Sequence, residues 1–417
     1  MSSEWFKGTW GDLVELKYGK GLKNYKESNE EIPVFGTNGP VGFTSKALCD
    51  FPSIIIGRKG AYRGVHFSSV PFWVIDTAYF VVPKKDFNIK WAYYHLLTQD
   101  INALDSGSAI PSTSREDFYQ LPVNMPPRWI QDEIVNNLDV LNKKINLNSK
   151  SSQTLEEMAQ AIFKSWFVDF DPVKAKINGE QPEGMDAATA SLFPDKLVES
   201  ELGLIPEGWE VKNVGEFTDT FDYVANGSFA ALKANVELFD EPNDVLYVRT
   251  TDFNKGFKND LKYTNESSYQ FLSKSKLYGH ETIISNVGDV GTVFRAPSWY
   301  DMPMTLGSNA MGIVAEGANS YIYYLFKSHT GQHLLDGITS GSAQMKFNKT
   351  SFRKLRVVLP SNELLAKFEE LEASLWAKHA SNQKESLHLE KLRDTLLPKL
   401  LSGEIELGLN EAVELEA

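Results

Sequence analysis

The spacing of apolar residues divides the chain into two kinds of segment, each present twice. Ile134, Leu138, Leu141, Ile145, Asn148, Ser152, Leu155, Ala159, Ile162 and Trp166 alternate steps of four and three, the heptad seam of a long helix. A second seam uses Phe368, Leu375, Asn382, Ser386, Leu389, Leu396 and Leu400, interrupted by Glu372, His379 and Arg393. Both seams carry a polar pair at mid-length, Asn148/Ser152 and Asn382/Ser386. A buried Asn in a seam costs stability but rejects other registers. Ahead of each helix, short Val/Ile/Phe/Tyr runs broken by Gly, Pro and Asn predict strands at 53–56, 72–75, 79–82, 282–285 and 311–314. Each of these blocks also predicts one helix, near 88–104 and 318–336.

The two halves are copies. Gly107-Ser108-Ala109 recurs as Gly341-Ser342-Ala343, a shift of 234 that also carries Phe118 to Phe352, Val123 to Val357 and Pro126 to Pro360. The register then holds without a gap to Leu155-Glu156 and Leu389-Glu390, which marks an internal duplication. Upstream the match loosens, and that is where a binding surface would differ between copies. The expected fold class is α+β: mixed domains at 1–128 and 209–360, and long helices at 129–176 and 361–405. An acidic linker at 177–208 and an acidic tail at 406–417 complete the division. Two copies pair most simply about a pseudo-twofold axis, which makes the helices antiparallel and puts the domains at opposite ends. A helix of ~39 residues at ~1.5 Å per residue is a spacer of roughly 58 Å.

Length, charge and cysteine usage narrow the class. At 417 residues the chain is too long for one ordinary core, and 42% hydrophobic with 23% charged residues is globular composition. A single cysteine, Cys49, excludes an internal disulfide and a cysteine-based zinc site. No apolar run long enough for a membrane helix is present, and MSSEWFKGTW lacks the apolar core of a signal peptide, so a cytoplasmic protein is expected. The net charge of −13 argues at first against nucleic acid, but residues 177–208 and 361–417 each hold −6 of it. The large blocks 1–128 and 209–360 stand at +1 and −1, which leaves room for a basic face on either.

Two stretches resemble a known family. LEEMAQAIFKSWFVDFDPVKAK over 155–176 resembles the central conserved region of type I restriction–modification specificity subunits, and LRDTLLPKLLSGEI over 392–405 resembles their C-terminal end. PVFGTNG at 33–39 and LIPEGWEVK at 204–212 are similar at a weaker level. The resemblance implies two target-recognition domains, each reading one half of a bipartite site on double-stranded DNA, with the helices setting the gap. It implies no catalysis and no cofactor on this chain. Two modification (methyltransferase) subunits would dock on the helices and restriction (motor-nuclease) subunits would join them, so that S-adenosylmethionine, ATP and Mg belong to the partners.

The rival readings are a self-contained methyltransferase or nuclease, and a duplicated coiled-coil scaffold without DNA. Phe35-Gly-Thr-Asn-Gly39 has the glycines of a methyltransferase loop, but the chain lacks the matching tetrapeptide with an Asp-Pro-Pro-Tyr character. Asp195 with Glu210 and Lys212 has a nuclease spacing, yet metal-assisted cleavage needs the carboxylates beside one cation, and these fall in the linker and at a domain start. His329 and His333 sit four apart without an evident third ligand, so no metal is expected, and no phosphate-binding Gly-x4-Gly-Lys-Ser/Thr motif occurs.

Base edges favour Arg, Asn, Gln, Ser and Thr, and phosphates favour Lys, Arg and hydroxyls. Candidate DNA contacts in the first domain are Arg58, Lys59, Tyr62 and Arg63 in one loop and Ser112, Thr113, Ser114 and Arg115 in another. In the second domain they are Arg249, Thr250, Thr251, Asn286, Arg295, Gln344, Lys346 and Asn348. Phe163, Trp166, Phe167 and Phe170 exceed what one seam can bury, which leaves core packing and a partner-docking surface as alternatives.

Overall fold

A computed structural model describes residues 5–105, 111–341, 344–405 and 407. The repeated tripeptides therefore lie outside the described residues except for Gly341, as does the acidic tail except for Leu407. Contacts divide the chain into one unit of Met1–Asn146 with Leu387–Ala417 and a second of Leu147–Ser386.

The first unit opens with β1 (Phe6–Thr9), α1 (Trp10–Leu13), β2 (Val14–Tyr18), β3 (Ile32–Gly36) and β4 (Gly39–Thr44). The chain continues through β5 (Ser53–Gly57), β6 (Val65–Ser68), β7 (Trp73–Val74) and β8 (Ala78–Pro83). Helices α2 (Ile89–Leu97) and α3 (Arg115–Gln120) and strand β9 (Pro122–Met125) lead into the long helix α4 (Arg128–Phe163). The main sheet has the order β2-β8-β5-β6 and is antiparallel throughout. A second sheet, β4-β3-β7, pairs β3 antiparallel with β4 and parallel with β7, and β1 pairs with β9. Strand β5 is buried at every position, as its unbroken apolar run requires of a strand covered on both faces. Trp10, Leu13, Ile54, Ile56, Trp91 and Phe118 pack into the unit's main core.

The second unit begins with α5 (Asp171–Ile177), α6 (Ala187–Ser191), β10 (Leu197–Ser200) and β11 (Gly203–Pro206). It proceeds through β12 (Glu210–Asn213), β13 (Asp219–Asp222), α7 (Phe229–Asn235), β14 (Val245–Val248), α8 (Thr250–Asn254) and β15 (Lys262–Thr264). Then come α9 (Glu266–Phe271), β16 (Lys276–Leu277), β17 (Thr282–Ser285), β18 (Val293–Arg295), β19 (Met304–Leu306) and β20 (Ala310–Val314). Helices α10 (Asn319–Lys327), α11 (His329–Ile338) and α12 (Lys349–Arg353), strand β21 (Arg356–Leu359) and the long helix α13 (Asn362–Ser402) complete the order.

The sheets repeat the plan of the first unit. The order β13-β20-β17-β18 matches β2-β8-β5-β6, and β12-β21 matches β1-β9. Strand β14 pairs antiparallel with β15 and parallel with β19, as β3 does with β4 and β7, and β16 is an addition. The fold is thus α+β, a duplicated mixed domain with two long helices.

Both long helices cross the boundary between units. The first unit holds the segments 128–146 and 387–402, where Leu400 and Leu401 join Ile134 and Leu138 in the core and the Arg393 guanidinium donates to Asn142 Oδ1 at 3.1 Å. The second holds 147–163 and 362–386, where Asn148 donates to Glu385 at 2.9 Å, Asn382 donates to Ser151 at 3.1 Å, and Phe163 meets Phe368 at 6.0 Å. Within each unit partner numbers fall on one helix as they rise on the other, so the segments are antiparallel. Asn148, Ser152, Asn382 and Ser386 are all buried, as the two seams anticipate.

Three expectations need correction. The first long helix does not reach 176. It passes into a wider turn at Lys164–Val168, where Asp169 N–H donates to Lys164 O at 2.8 Å, and breaks at Phe170, which is left-handed with φ 56°. Pro172 explains the restart, because proline cannot donate within a helix and suits its first turn. The acidic stretch 177–208, linker-like in composition, folds as α6 and the β10–β11 hairpin and buries Ala190, Phe193 and Ile205. The helix expected over 318–336 is two helices that turn at Ser328, whose Oγ accepts the Gly331 N–H at 3.2 Å. A Cβ at Gly331 would stand 2.0 Å from Leu325 O, so only glycine permits this close approach.

Candidate nucleic-acid interface

The first unit gathers the two candidate loops that sequence places some fifty residues apart. Thr113 N–H donates to Arg58 O at 2.8 Å, Thr113 Oγ to Gly57 O at 2.9 Å, and Gly60 N–H to Pro111 O at 3.0 Å. Lys59 and Ser112 form a bridge between the loops. The turn after β3 supports them, since Thr37 Oγ lies 2.8 Å from both Lys59 O and Thr77 O. This crowding requires glycine at 57, where a Cβ would meet Thr37 O at 2.8 Å and Arg63 Cα at 2.9 Å.

Two guanidinium groups converge on one ring there. Arg58 lies 4.8 Å and Arg115 4.6 Å from the centre of the Tyr18 ring, which is 45% exposed. Cation–π contact holds both charges in place without neutralising them. Arg58 is further held by its Nη1, which donates to Asp76 O at 3.0 Å. Lys59 is exposed beside them, and Tyr62 is 80% exposed at the tip of the loop.

The second unit builds the same junction with other side chains. Strand register equates Gly57 with Ser285 and Tyr18 with Asp222, hence Arg58 with Asn286 and Lys59 with Val287. Val287 and Lys346 form the bridge equivalent to Lys59–Ser112. Phe347 N–H donates to Asn286 O and Gly288 N–H to Met345 O, each at 3.1 Å. Lys349 stands where Arg115 stands in the first unit, and it is paired with Asp222 at 3.0 Å instead of resting on a tyrosine. Gln344, Lys346 and Asn348 are exposed. One junction is thus cationic and aromatic, the other rich in amides.

Other candidates are committed inside the fold. Arg63 is 3% exposed, and its guanidinium donates to Gly60 O and Asn102 O, closing its loop from within. Arg295 is 5% exposed and donates to Glu372 at 2.6 Å and to Ser320 Oγ at 3.1 Å. Burial works against its charge, yet Glu372 and the neighbouring tyrosines hold its pKa above the ordinary value. Arg249 donates to the fully buried Asp252 at 3.1 Å and to Asp260 O at 2.6 Å. Thr250 is buried next to it and Thr251 is exposed. Ser114 and Asn348 spend their side-chain oxygens on the N-termini of α3 and α12.

Three rings of the aromatic cluster pack as core. Phe163, Trp166 and Phe167 are between 2% and 6% exposed and pack on Phe368, Tyr321 and Phe193. Phe170 is half-buried with its ring edge-on to Trp209 at 5.5 Å. The four rings find partners that a single seam does not supply because the second domain and α13 both press on this end of α4. Among the described residues no cluster of three His, Cys, Asp or Glu side chains can hold a metal, and no helix is long and apolar enough to cross a membrane.

Sequence reasoning missed Tyr18, Thr37, Asp222 and Lys349. The signal for Thr37 lies in the Gly-Thr-Asn-Gly run at 36–39, which reads as a family match and as a methyltransferase-like loop but not as a support for the DNA-reading loops. Tyr18 and Asp222 carry no local signal, since what matters is the strand neighbour each lies beside.

Comparison with known proteins agrees with this duplicated plan. The family model described as "Type I restriction modification DNA specificity domain" matches residues 2–157 and again 206–364. The Type I restriction enzyme HindI specificity subunit of Haemophilus influenzae is 28% identical over 338 residues, 71% of each chain. The MjaIX specificity subunit of Methanocaldococcus jannaschii is 24% identical over 414 residues, covering 96% of this chain and 88% of the relative. The crystal structure of the type I restriction–modification S subunit from M. genitalium shares the fold, with a TM-score of 0.57 at 16% identity over 96% of both chains. Its role is therefore DNA specificity rather than catalysis: the chain belongs to the type I restriction–modification DNA specificity family.

Proposed function

We propose that each domain reads one half of a bipartite site on double-stranded DNA through its loop junction, and that the paired helices set the gap and dock two modification subunits. The observation that carries this reading is the same junction built twice with different chemistry. Arg58 and Arg115 flank Tyr18 with Lys59 exposed in the same loop in one copy, and Asn286 and Gln344 stand with a neutralised Lys349 in the other. Arginine suits guanine and phosphate, whereas amides suit adenine, so two unlike half-sites follow. Ser112, Tyr62, Thr251 and Lys346 complete the two reading surfaces, while Arg63, Arg249, Arg295 and Thr113, which is 2% exposed and bound to Gly57 O, act behind them with the helix-capping Ser114 and Asn348.

Docking falls to surface other than the buried aromatic cluster. Val140 is 63% exposed in the first unit, and Leu147 and Met158 are 60% and 48% exposed in the second, so the outer face of α4 remains available. S-adenosylmethionine enters with the modification subunits, and ATP and Mg with the restriction subunits. With −13 overall, the chain gains DNA affinity from the charge its partners bring.

The test is to assemble the chain with its modification subunits, methylate a randomised duplex library and sequence the modified adenines. A motif of two unlike halves at one fixed gap is expected. Methylation at a single continuous motif, or at no motif, overturns the reading.

A further inference from the structure

The second domain meets α13 through a charge pair that is drier than any other ion pair among the described residues whose geometry is given above. Arg295 ends β18, Glu372 lies on α13, and their side chains are only 3% and 4% exposed at a separation of 2.6 Å. The contact is many-sided. The second guanidinium nitrogen reaches Ser320 Oγ on α10, and Ser320 Oγ also lies 2.8 Å from Glu372 Oε2. The guanidinium plane packs over the rings of Tyr323 and Trp376, at 4.3 and 4.7 Å. One residue therefore ties the edge of the sheet, the helix that covers it and the long helix into a single geometry.

Among its described residues the first unit has no such joint. Strand register puts Phe67 at the position of Arg295, where it packs apolar against Tyr93 at 5.7 Å. The charge pair nearest that place, Lys90–Asp139, is 33% and 19% exposed and so remains wet. Apolar surfaces of similar volume bind as well as a buried ion pair but slide over one another, whereas a planar guanidinium accepts its partners in few directions.

We propose that Arg295 and Glu372 form a positioning pair that fixes the angle of the second domain on α13 and thereby limits which gap lengths between half-sites the protein accepts. This rests on the bipartite reading above. The pair touches no DNA and acts only through the reading loops it orients.

The experiment measures adenine methylation by the assembled complex on duplexes whose gap between half-sites varies one base pair at a time. Wild type is expected to favour one gap sharply. The Arg295→Met/Glu372→Leu variant, which keeps volume and removes both charges together, is expected to retain activity at that gap and to lose about tenfold in discrimination against its neighbours. An effect on stability alone lowers all gaps together and leaves the ratio unmoved, which overturns the proposal. Should the double variant fail to fold, Arg295→Lys keeps the charge without the planar fork and is expected to relax discrimination partway; an unchanged ratio there overturns it equally. A wild-type protein indifferent to the gap defeats the bipartite reading instead.

Discussion

Ser114 and Asn348, 234 positions apart, make the same hydrogen bond: each side-chain oxygen accepts the backbone N–H three residues on, at 3.1 Å from Asp117 and 2.9 Å from Ser351. Both residue types suit DNA contact, yet in each copy the oxygen is occupied in starting the short helix that backs the reading loop. Ser114→Ala and Asn348→Ala are each expected to cost about 1 kcal/mol in urea denaturation, and Ser114→Asp to cost little. Losses of DNA affinity larger than this destabilisation explains would return the two residues to the DNA surface.

Arg58 and Arg115 keep their charge while resting on Tyr18, so both remain able to neutralise phosphate. The double substitution Arg58→Ala/Arg115→Ala is expected to reduce the slope of log affinity against log salt by about 2 in the assembled complex. Arg63→Ala, by contrast, is expected to leave the slope nearly unchanged and to lower thermal stability, because Arg63 closes the loop from inside. Titrations at a series of salt concentrations separate the two behaviours.

Trp166 lies in the core of the second unit beside Phe193 and Phe368. Its truncation to alanine is expected to destabilise that unit by about 3–5 kcal/mol, the usual cost of emptying an aromatic site. Chemical denaturation measures the loss. Any variant that still folds is expected to co-purify with modification subunits at the normal ratio.

Ser320 Oγ stands 2.8 Å from carboxylate oxygens of both Glu369 and Glu372 but has one proton to give. All contacts are satisfied when Glu369 carries a proton and donates it, leaving Ser320 to serve Glu372. Burial raises the Glu369 pKa, hydrogen bonds from Ser320 and the charge of Arg295 pull it back, and Glu372 pushes it up, with a net rise. A raised carboxyl pKa stabilises the fold below the ordinary value of 4.5, and that contribution fades as pH climbs through the folded value. Glu369→Gln imitates the protonated form, so it is expected to match wild type near pH 4.5 and exceed it at pH 8. Denaturation curves at both pH values decide.

His95 is a second internal proton site, in the first unit. It packs between Trp10 and Trp91, each ring 5.5 Å away, and burial lowers its pKa from 6.5 to about 4. The unfolded chain takes up the proton first as pH falls, so stability is full above 6.5 and declines toward 4, by on the order of 3 kcal/mol. His95→Phe is expected to remove that part of the decline, seen as a flatter dependence of the urea midpoint on pH.

Much of this architecture was legible in the sequence because it rests on periodicity. The two seams, the shift of 234 and the strand at 53–56 all follow from local spacing, and the two seams pack in antiparallel segments within each unit. The interruptions at Glu372, His379 and Arg393 looked like defects in the second seam. They are the places where α13 meets side chains outside the aliphatic seam: Arg295 for Glu372, the Trp299 and Trp376 rings for His379, Asn142 for Arg393. Arg295 misled for the matching reason, since residue type alone does not distinguish an arginine offered to phosphate from one enclosed with a glutamate. Which of two charges faces water depends on strand register, and a single chain does not display its pairings.

The first unit is built from the first 146 residues and from residues 387 onward, and Leu400 and Leu401 sit in the same core as Trp10. During synthesis, then, the apolar interior around Trp10 stays uncovered until Leu400 and Leu401, some 390 residues later, have been made. A break in α13 ahead of Leu400 therefore strips cover from a core whose other members lie hundreds of residues earlier in the sequence.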